Sequence, residues 1–282
     1  MTSSARRERS FGIIGGLSPI ADADLLSKLI EATERHPDAG QFGIVFEQRP
    51  FTRVDGPSAA TTARMLYIFD RIDSFRKSGI GTVVLPCFLS HTFMDELREN
   101  SPLPIADMIE ALRNHVRSTF ASKQRIGVLT SAPLREQRLF EHYFTPGEFE
   151  ILHPRRRGGL DLVTEAVYGK NGIKSGSRNG YSIELLREAS ADLIEQGAEL
   201  LLPGVTELAL VAAEFGQLSV PVIDPHRVYA QYLVAELLAS VERPFKLGVV
   251  GGVGPAATVD FLQKVVRSTP SRKDQDHLRL LV

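Results

Sequence analysis

The chain holds one cysteine, and its setting decides what chemistry it could do. Cys87 lies in the run Leu85-Pro86-Cys87-Phe88-Leu89-Ser90-His91, after an apolar stretch and before a turn whose histidine follows four residues on. A thiol at such a strand end can exchange a proton if polar donors surround it. A lone cysteine is more often a small core residue, so the surroundings must make the case. A second stretch is built alike. Gly197-Ala198-Glu199-Leu200-Leu201-Leu202-Pro203-Gly204-Val205 echoes Gly79-Ile80-Gly81-Thr82-Val83-Val84-Leu85-Pro86-Cys87. Each begins at a glycine suited to closing a helix, and each apolar run is stopped by Leu-Pro. Where the first carries its thiol, the second has Val205, then Thr206 and Glu207. One cysteine also excludes an intramolecular disulfide and a cysteine-rich metal site, so no metal is expected.

Near the start, Gly12-Ile13-Ile14-Gly15-Gly16-Leu17-Ser18-Pro19 forms a second chemically suggestive turn. It lacks the third glycine of a dinucleotide fingerprint and the pattern of a phosphate loop, so a nucleotide is not expected. Backbone N–H groups at such a turn and helix start still suit a carboxylate, which makes Gly16 and Ser18 candidate ligand-binding residues.

These turns need elements to hold them. Short apolar runs at residues 11–14, 43–46, 82–85, 125–129, 149–152, 200–202, 222–223 and 247–250 read as strands. Helix-like segments lie between them at 21–33, 60–78, 108–121, 135–143, 182–195 and 228–241. Strand-then-helix alternation with nearly continuous apolar strands predicts an α/β fold: parallel sheets flanked by helices, in two similar lobes with a cleft between them. Sites in such sheets lie at the carboxyl ends of strands, where both runs place their turns.

The 282 residues are 43% hydrophobic and carry a formal net charge of −1, which suits a core-forming protein and gives no reason to expect nucleic acid or an anionic membrane. The cluster Arg155-Arg156-Arg157 reads as a solvated loop. The polar, arginine-bearing first ten residues lack a signal peptide's apolar region, and no stretch reaches the roughly 18 apolar residues of a membrane span. A cytoplasmic location with a reduced thiol is the simplest expectation.

The chain also repeats itself. Residues 11–41 align without gaps to residues 247–277 at a spacing of 236, with ten identities in 31 positions. Gly12, Gly15, Gly16, Pro19, Ala21, Asp24, Leu26, Lys28, Thr33 and Asp38 recur as Gly248, Gly251, Gly252, Pro255, Ala257, Asp260, Leu262, Lys264, Thr269 and Asp274. Turn glycines and proline kept in register argue for a true repeat. The expected organisation is one domain over residues 1–242, with lobes of roughly 10–112 plus 226–242 and 113–225. A truncated start of a second copy follows at 243–282, and so short a unit cannot bury a core alone.

Several segments resemble the cofactor-independent aspartate/glutamate racemases. The opening strand and glycine turn are similar to those of aspartate racemases, and the second copy, Gly251-Gly252-Val253-Gly254-Pro255, is closer still. Leu85-Pro86-Cys87-Phe88-Leu89-Ser90-His91 resembles the family's Pro-Cys-Asn-Thr-Ala-His motif, and Ile173-Lys174-Ser175-Gly176 its Val-Lys-Ala-Gly loop. Pro203-Gly204-Val205-Thr206-Glu207 falls on its Gly-Cys-Thr-Glu motif, and Val220-Pro221-Val222-Ile223-Asp224-Pro225 matches its closing strand. The resemblance implies a small carboxylate or amino-acid ligand, no cofactor, and homodimers as an option. It implies two thiols flanking an α-carbon, one removing the proton and the other returning it. Cys87 holds the first position. Val205 holds the second and can neither give nor take a proton. Ser90, Lys174, Thr206 and Glu207 are the further implied ligand-binding residues, with Arg53 near the family's Pro-Asp-Arg arginine. Phe88 and Leu89 replace an Asn-Thr pair that would contact substrate. Three functions follow: a racemase or epimerase in which water or Glu207 replaces the second thiol; a one-base decarboxylase or isomerase; or a non-catalytic copy that binds a ligand or regulates another.

Overall fold

The computed structural model describes residues 10–35, 43–49, 51, 57–178, 180–215, 218–241, 246–248, 255–268 and 279–281. Arg53, the crossing at residues 242–244 and the second glycine turn at 251–254 lie outside them. The chain divides into two compact units, residues 1–235 and 236–282.

In the first unit, β1 (Ser10–Gly15) is almost wholly buried, as its run of apolar residues requires. It sits between β2 (Gly43–Gln48) and β3 (Thr82–Val84) in a parallel sheet of order β2-β1-β3-β4, where β4 is Ile105–Ala106. Helix α1 (Pro19–Glu34) follows β1, and α2 (Pro57–Lys77) packs Ile68, Ile72 and Phe75 into the core under Ile14 and Val83. After β3 the chain makes a 3-10 turn over Phe88–Phe93, then α3 (Met94–Asn100) and α4 (Met108–Thr119). Asp107 caps α4, accepting from the Ile109 and Glu110 N–H groups at 2.9 and 3.0 Å.

A second parallel sheet has the order β6-β5-β7, from β5 (Arg125–Leu129), β6 (Glu150–Leu152) and β7 (Leu200–Pro203). Around it lie α5 (Ala132–Glu136), α6 (Leu139–Tyr143), α7 (Leu162–Tyr168) and α8 (Tyr181–Glu195). The α/β class with parallel sheets flanked by helices is as expected. Two elements differ. The helix read at 135–143 is broken at Arg138, which takes φ 52°. Leu134 and Leu139 are five positions apart and would point away from each other on one helix; the break lets both bury. The strand read at 222–223 is a single parallel bridge of Val222 to Leu201. Helix α9 (Pro225–Val241) places Tyr229 so that its hydroxyl donates to Ala106 O at 2.7 Å and accepts from Leu85 N–H at 3.4 Å, bracing the end of β3.

The second unit contains β8 (Lys246–Gly248), α10 (Pro255–Ser268) and β9 (Arg279–Leu281). Its strands pair in parallel as Lys246↔Arg279, Leu247↔Leu280 and Gly248↔Leu281. At the 236-residue spacing this is the same register as Ser10↔Gly43, Phe11↔Ile44 and Gly12↔Val45. The repeated i,i+4 ion pair is also kept, at 2.7 Å for Lys28–Asp24 and 2.6 Å for Lys264–Asp260.

Candidate active site

Each of the two Leu-Pro strand ends leads into a 3-10 turn. Cys87 and Val205 both stand in extended backbone just before it, at φ −151°, ψ 106° and φ −133°, ψ 133°. Each carbonyl accepts from the N–H three residues on, Ser90 at 3.1 Å and Leu208 at 3.0 Å. The backbone thus presents two side chains in matching ways. Both face one cleft of about 590 Å³, a size that holds a small ligand. Gly16, Ser18, Lys174, Thr206 and Glu207 line it as well, so most of the expected site residues come together. Ser90 does not. It is fully buried, and its Oγ has no partner among the described residues.

The wall around Cys87 is cationic and apolar. Arg64 Nη1 donates to Cys87 Sγ at 3.4 Å, and its guanidinium stacks 5.5 Å from the Phe51 ring. Among the described residues no carboxylate pairs with Arg64. Phe88, Leu89, Pro133 and Leu134 complete this wall, and Phe88 also packs on Phe140 with ring centroids 5.5 Å apart. His91 serves the backbone. Its Nε2 accepts from Met108 N–H at 3.1 Å, so Nδ1 carries the proton and donates to Cys87 O at 2.8 Å. Burial lowers its pKa against the opposing pull of Asp107. A neutral imidazole with both nitrogens engaged holds the Cys87 turn and has no proton for the sulfur.

Another part of the lining is a polar network. Glu207 is buried and accepts from Lys174 Nζ at 2.8 Å, Ser18 Oγ at 2.9 Å and Thr206 Oγ1 at 3.2 Å. Burial would raise its pKa, but the Lys174 charge and these donors outweigh that and lower it. Tyr168 also lines the cleft. Its phenol is raised by burial first, then by the nearby Glu207 and Cys87, and so stays protonated.

Under the glycine turn lies Asp22, fully buried on the first turns of α1. Its Oδ2 accepts from Gly16 N–H at 2.8 Å, the Ser18 backbone adds a second contact, and Oδ1 has no partner among the described residues. Gly16 must be glycine here. Its φ is +97°, and a Cβ would fall 2.1 Å from Arg49 O. Burial is the largest cause pushing the Asp22 pKa up to about 7, and the like charge of Glu207 adds to it. The turn donors expected to meet a ligand carboxylate are therefore engaged by one of the chain's own.

Residues 14–233 match the model of the Asp/Glu/Hydantoin racemase family. The chain belongs to that family. Its fold is similar to that of a Yersinia pestis protein described as a candidate Asp/Glu racemase, at TM-score 0.67 and 18% identity, over 82% of this chain and 99% of the other. It is also similar to Picrophilus torridus aspartate racemase, at TM-score 0.63 and 18% identity over 81% and 94%. A third is glutamate racemase from Francisella tularensis, solved in complex with D-glutamate, at TM-score 0.60 and 15% identity over 98% and 97%. At these identities the likeness is one of fold.

Three residues in or beneath the cleft escaped sequence reasoning: Asp22, Arg64 and Tyr168. Arg64 lies in Ala60-Thr61-Thr62-Ala63-Arg64, which has no local mark of a site. For Asp22 a signal existed, because the internal repeat carries Thr258 at the matching position. Among the described residues no helix is long and apolar enough to cross a membrane, and no cluster of three metal-ligating side chains occurs.

Proposed function

We propose that this racemase-family cleft binds a small carboxylic acid bearing an apolar α-substituent, and that Cys87 alone moves the proton at its α-carbon. The observation that carries this reading is the Arg64–Cys87 contact beside apolar side chains in a cleft that Val205 also lines. A cation at the sulfur is the setting of a reactive cysteine rather than of an inert packing thiol. In the decarboxylating form, the α-carbon–carboxylate bond breaks, carbon dioxide leaves, and the electron pair stays on the α-carbon as an enediolate. The Cys87 thiol then gives its proton to that carbon and regains one from water. In the isomerase form, the Cys87 thiolate takes the α-proton of a β,γ-unsaturated acid, the electron pair spreads into a dienolate, and the thiol returns the proton to the γ-carbon, leaving the double bond between the α- and β-carbons.

Glu207 suits the second base poorly. Its carboxylate is held ionised by three donors, which makes it a weak base. That weighs against racemisation by Cys87 and Glu207. The test is to offer aryl- and alkylmalonates together with L-aspartate and L-glutamate in D₂O, and to follow products by NMR. We expect malonate decarboxylation, or α-deuterium incorporation without loss of chirality, either one abolished in Cys87→Ala. Racemisation of aspartate or glutamate by the unmodified chain would replace this reading with the two-base one. No turnover or exchange from a folded protein would leave a ligand-binding copy. The reading of residues 243–282 as the opening of a second copy is supported by the gap-free repeat and the shared strand register.

A further inference from the structure

We infer that an acid entering this cleft places its carboxylate against Arg64, beside Cys87, because Asp22 has taken over the carboxylate-binding donors of the glycine turn. The inference rests on the cleft being an acid-binding site. Three observations carry it. The Gly16 N–H, which an incoming anion would need, already donates to Asp22 Oδ2 at 2.8 Å. Asp22 is fully buried with Oδ1 unpartnered among the described residues, so its position is not explained by a complete hydrogen-bond set of its own. Ordinary packing leaves such atoms rarely. In the internal repeat the same position is Thr258, a neutral residue, so the carboxylate is a feature of this copy.

With the turn filled, the remaining cations of the described cleft are Lys174 and Arg64. Lys174 is matched by Glu207 at 2.8 Å. Arg64 has no carboxylate partner among the described residues, and a guanidinium presents parallel N–H donors that fit a carboxylate edge. Its Nη1 already lies 3.4 Å from Cys87 Sγ, so an acid gripped there has its α-carbon close to the sulfur. The Phe51, Phe88 and Leu134 side chains then receive the substituent.

The single thiol gives a direct assay that needs no knowledge of the substrate. Cys87 is alkylated by iodoacetate, which carries a carboxylate, and by iodoacetamide, its neutral isostere; each product is counted by mass spectrometry. A change in thiol reactivity alters both rates together, so their ratio reports carboxylate attraction alone. We expect the ratio, corrected for a free thiol, to fall about tenfold in Arg64→Met, the effect of about one charged hydrogen bond, with Arg64→Lys between. Removing Arg64 orphans no described carboxylate, so the variant should fold; Arg64→Lys keeps the test alive if it does not. An unchanged ratio in Arg64→Met overturns the anchor. Asp22→Thr tests the other half. Succinate should protect its thiol from iodoacetamide at least fivefold better than in the unsubstituted chain, because the turn donors are freed. Equal protection in the two overturns the role of Asp22. Both readouts are independent of turnover, so failure of the proposed reaction and failure of this inference can be told apart.

Discussion

The two walls of the cleft are built alike and equipped differently. Each is a Leu-Pro strand end entering a 3-10 turn, with an extended residue whose carbonyl closes the turn. On one wall that residue is Cys87, with Arg64 at its sulfur and His91 bracing its backbone. On the other it is Val205, 3% exposed, beside a Glu207 whose oxygens are all engaged. The difference teaches that backbone presentation and chemical competence are separable. The fold presents two side chains to one cleft in matching backbone settings, while only Cys87 of the two carries a group that can hold or release a proton.

The largest break in this comparison is Cys87→Ala. Removing the proposed proton-transfer group should lower exchange or decarboxylation by on the order of a thousandfold, measured by deuterium incorporation. Next is Val205→Cys, which restores the symmetry of the walls. Because the backbone already presents position 205 like position 87, we expect aspartate or alanine racemisation to rise at least tenfold over background by circular dichroism. No gain would mean that the apolar side chains of Phe88 and Leu89 bar a charged amino acid as firmly as the missing second thiol does.

Smaller effects probe the polar wall. Lys174→Met leaves the buried Glu207 without its counter-ion and should cost about 1–2 kcal/mol in urea unfolding at pH 7, the partly exposed lysine keeping this below a fully buried pair. The two buried carboxyls also tilt stability in opposite directions with pH. Glu207 has a lowered folded-state pKa, so its contribution is present above the ordinary carboxylate value and is lost as pH falls through the folded one. Asp22, raised from 3.8 to about 7, holds its proton more tightly when folded. Its contribution is complete below about pH 4 and fades as pH rises to 7. Asp22→Asn should remove that slope and make the protein more stable at pH 8, by about 1–3 kcal/mol, as urea titrations at pH 5 and pH 8 would show. A smaller gain at pH 8 than at pH 5 would contradict this assignment.

Much of the fold was legible. Apolar runs at 11–14 and 125–129 form the interior strands β1 and β5, and 200–202 forms the buried β7, because a strand covered on both faces needs apolar residues at every position. The two-residue β4 escaped notice because Ile105–Ala106 is too short to show a period. The break at Arg138 escaped because it answers to the burial of Leu134 and Leu139, a matter of packing across the chain. In the site, Cys87, Val205, Lys174 and Glu207 were readable from motifs lying close to strand ends. Ser90 sits in the same motif, but its side chain is buried and does not line the cleft.

By itself the sequence determined that the chain is an α/β protein with two similar strand ends, a single thiol, and a valine where a second would stand. Those are properties of residue type and local spacing, which chain order preserves. Tertiary structure alone decided that Arg64, 23 positions before Cys87, reaches its sulfur, that Glu207 closes on Ser18 across 189 residues, and that Asp22 fills the glycine turn. Charges act through distance in space, and only the folded chain sets which of them meet.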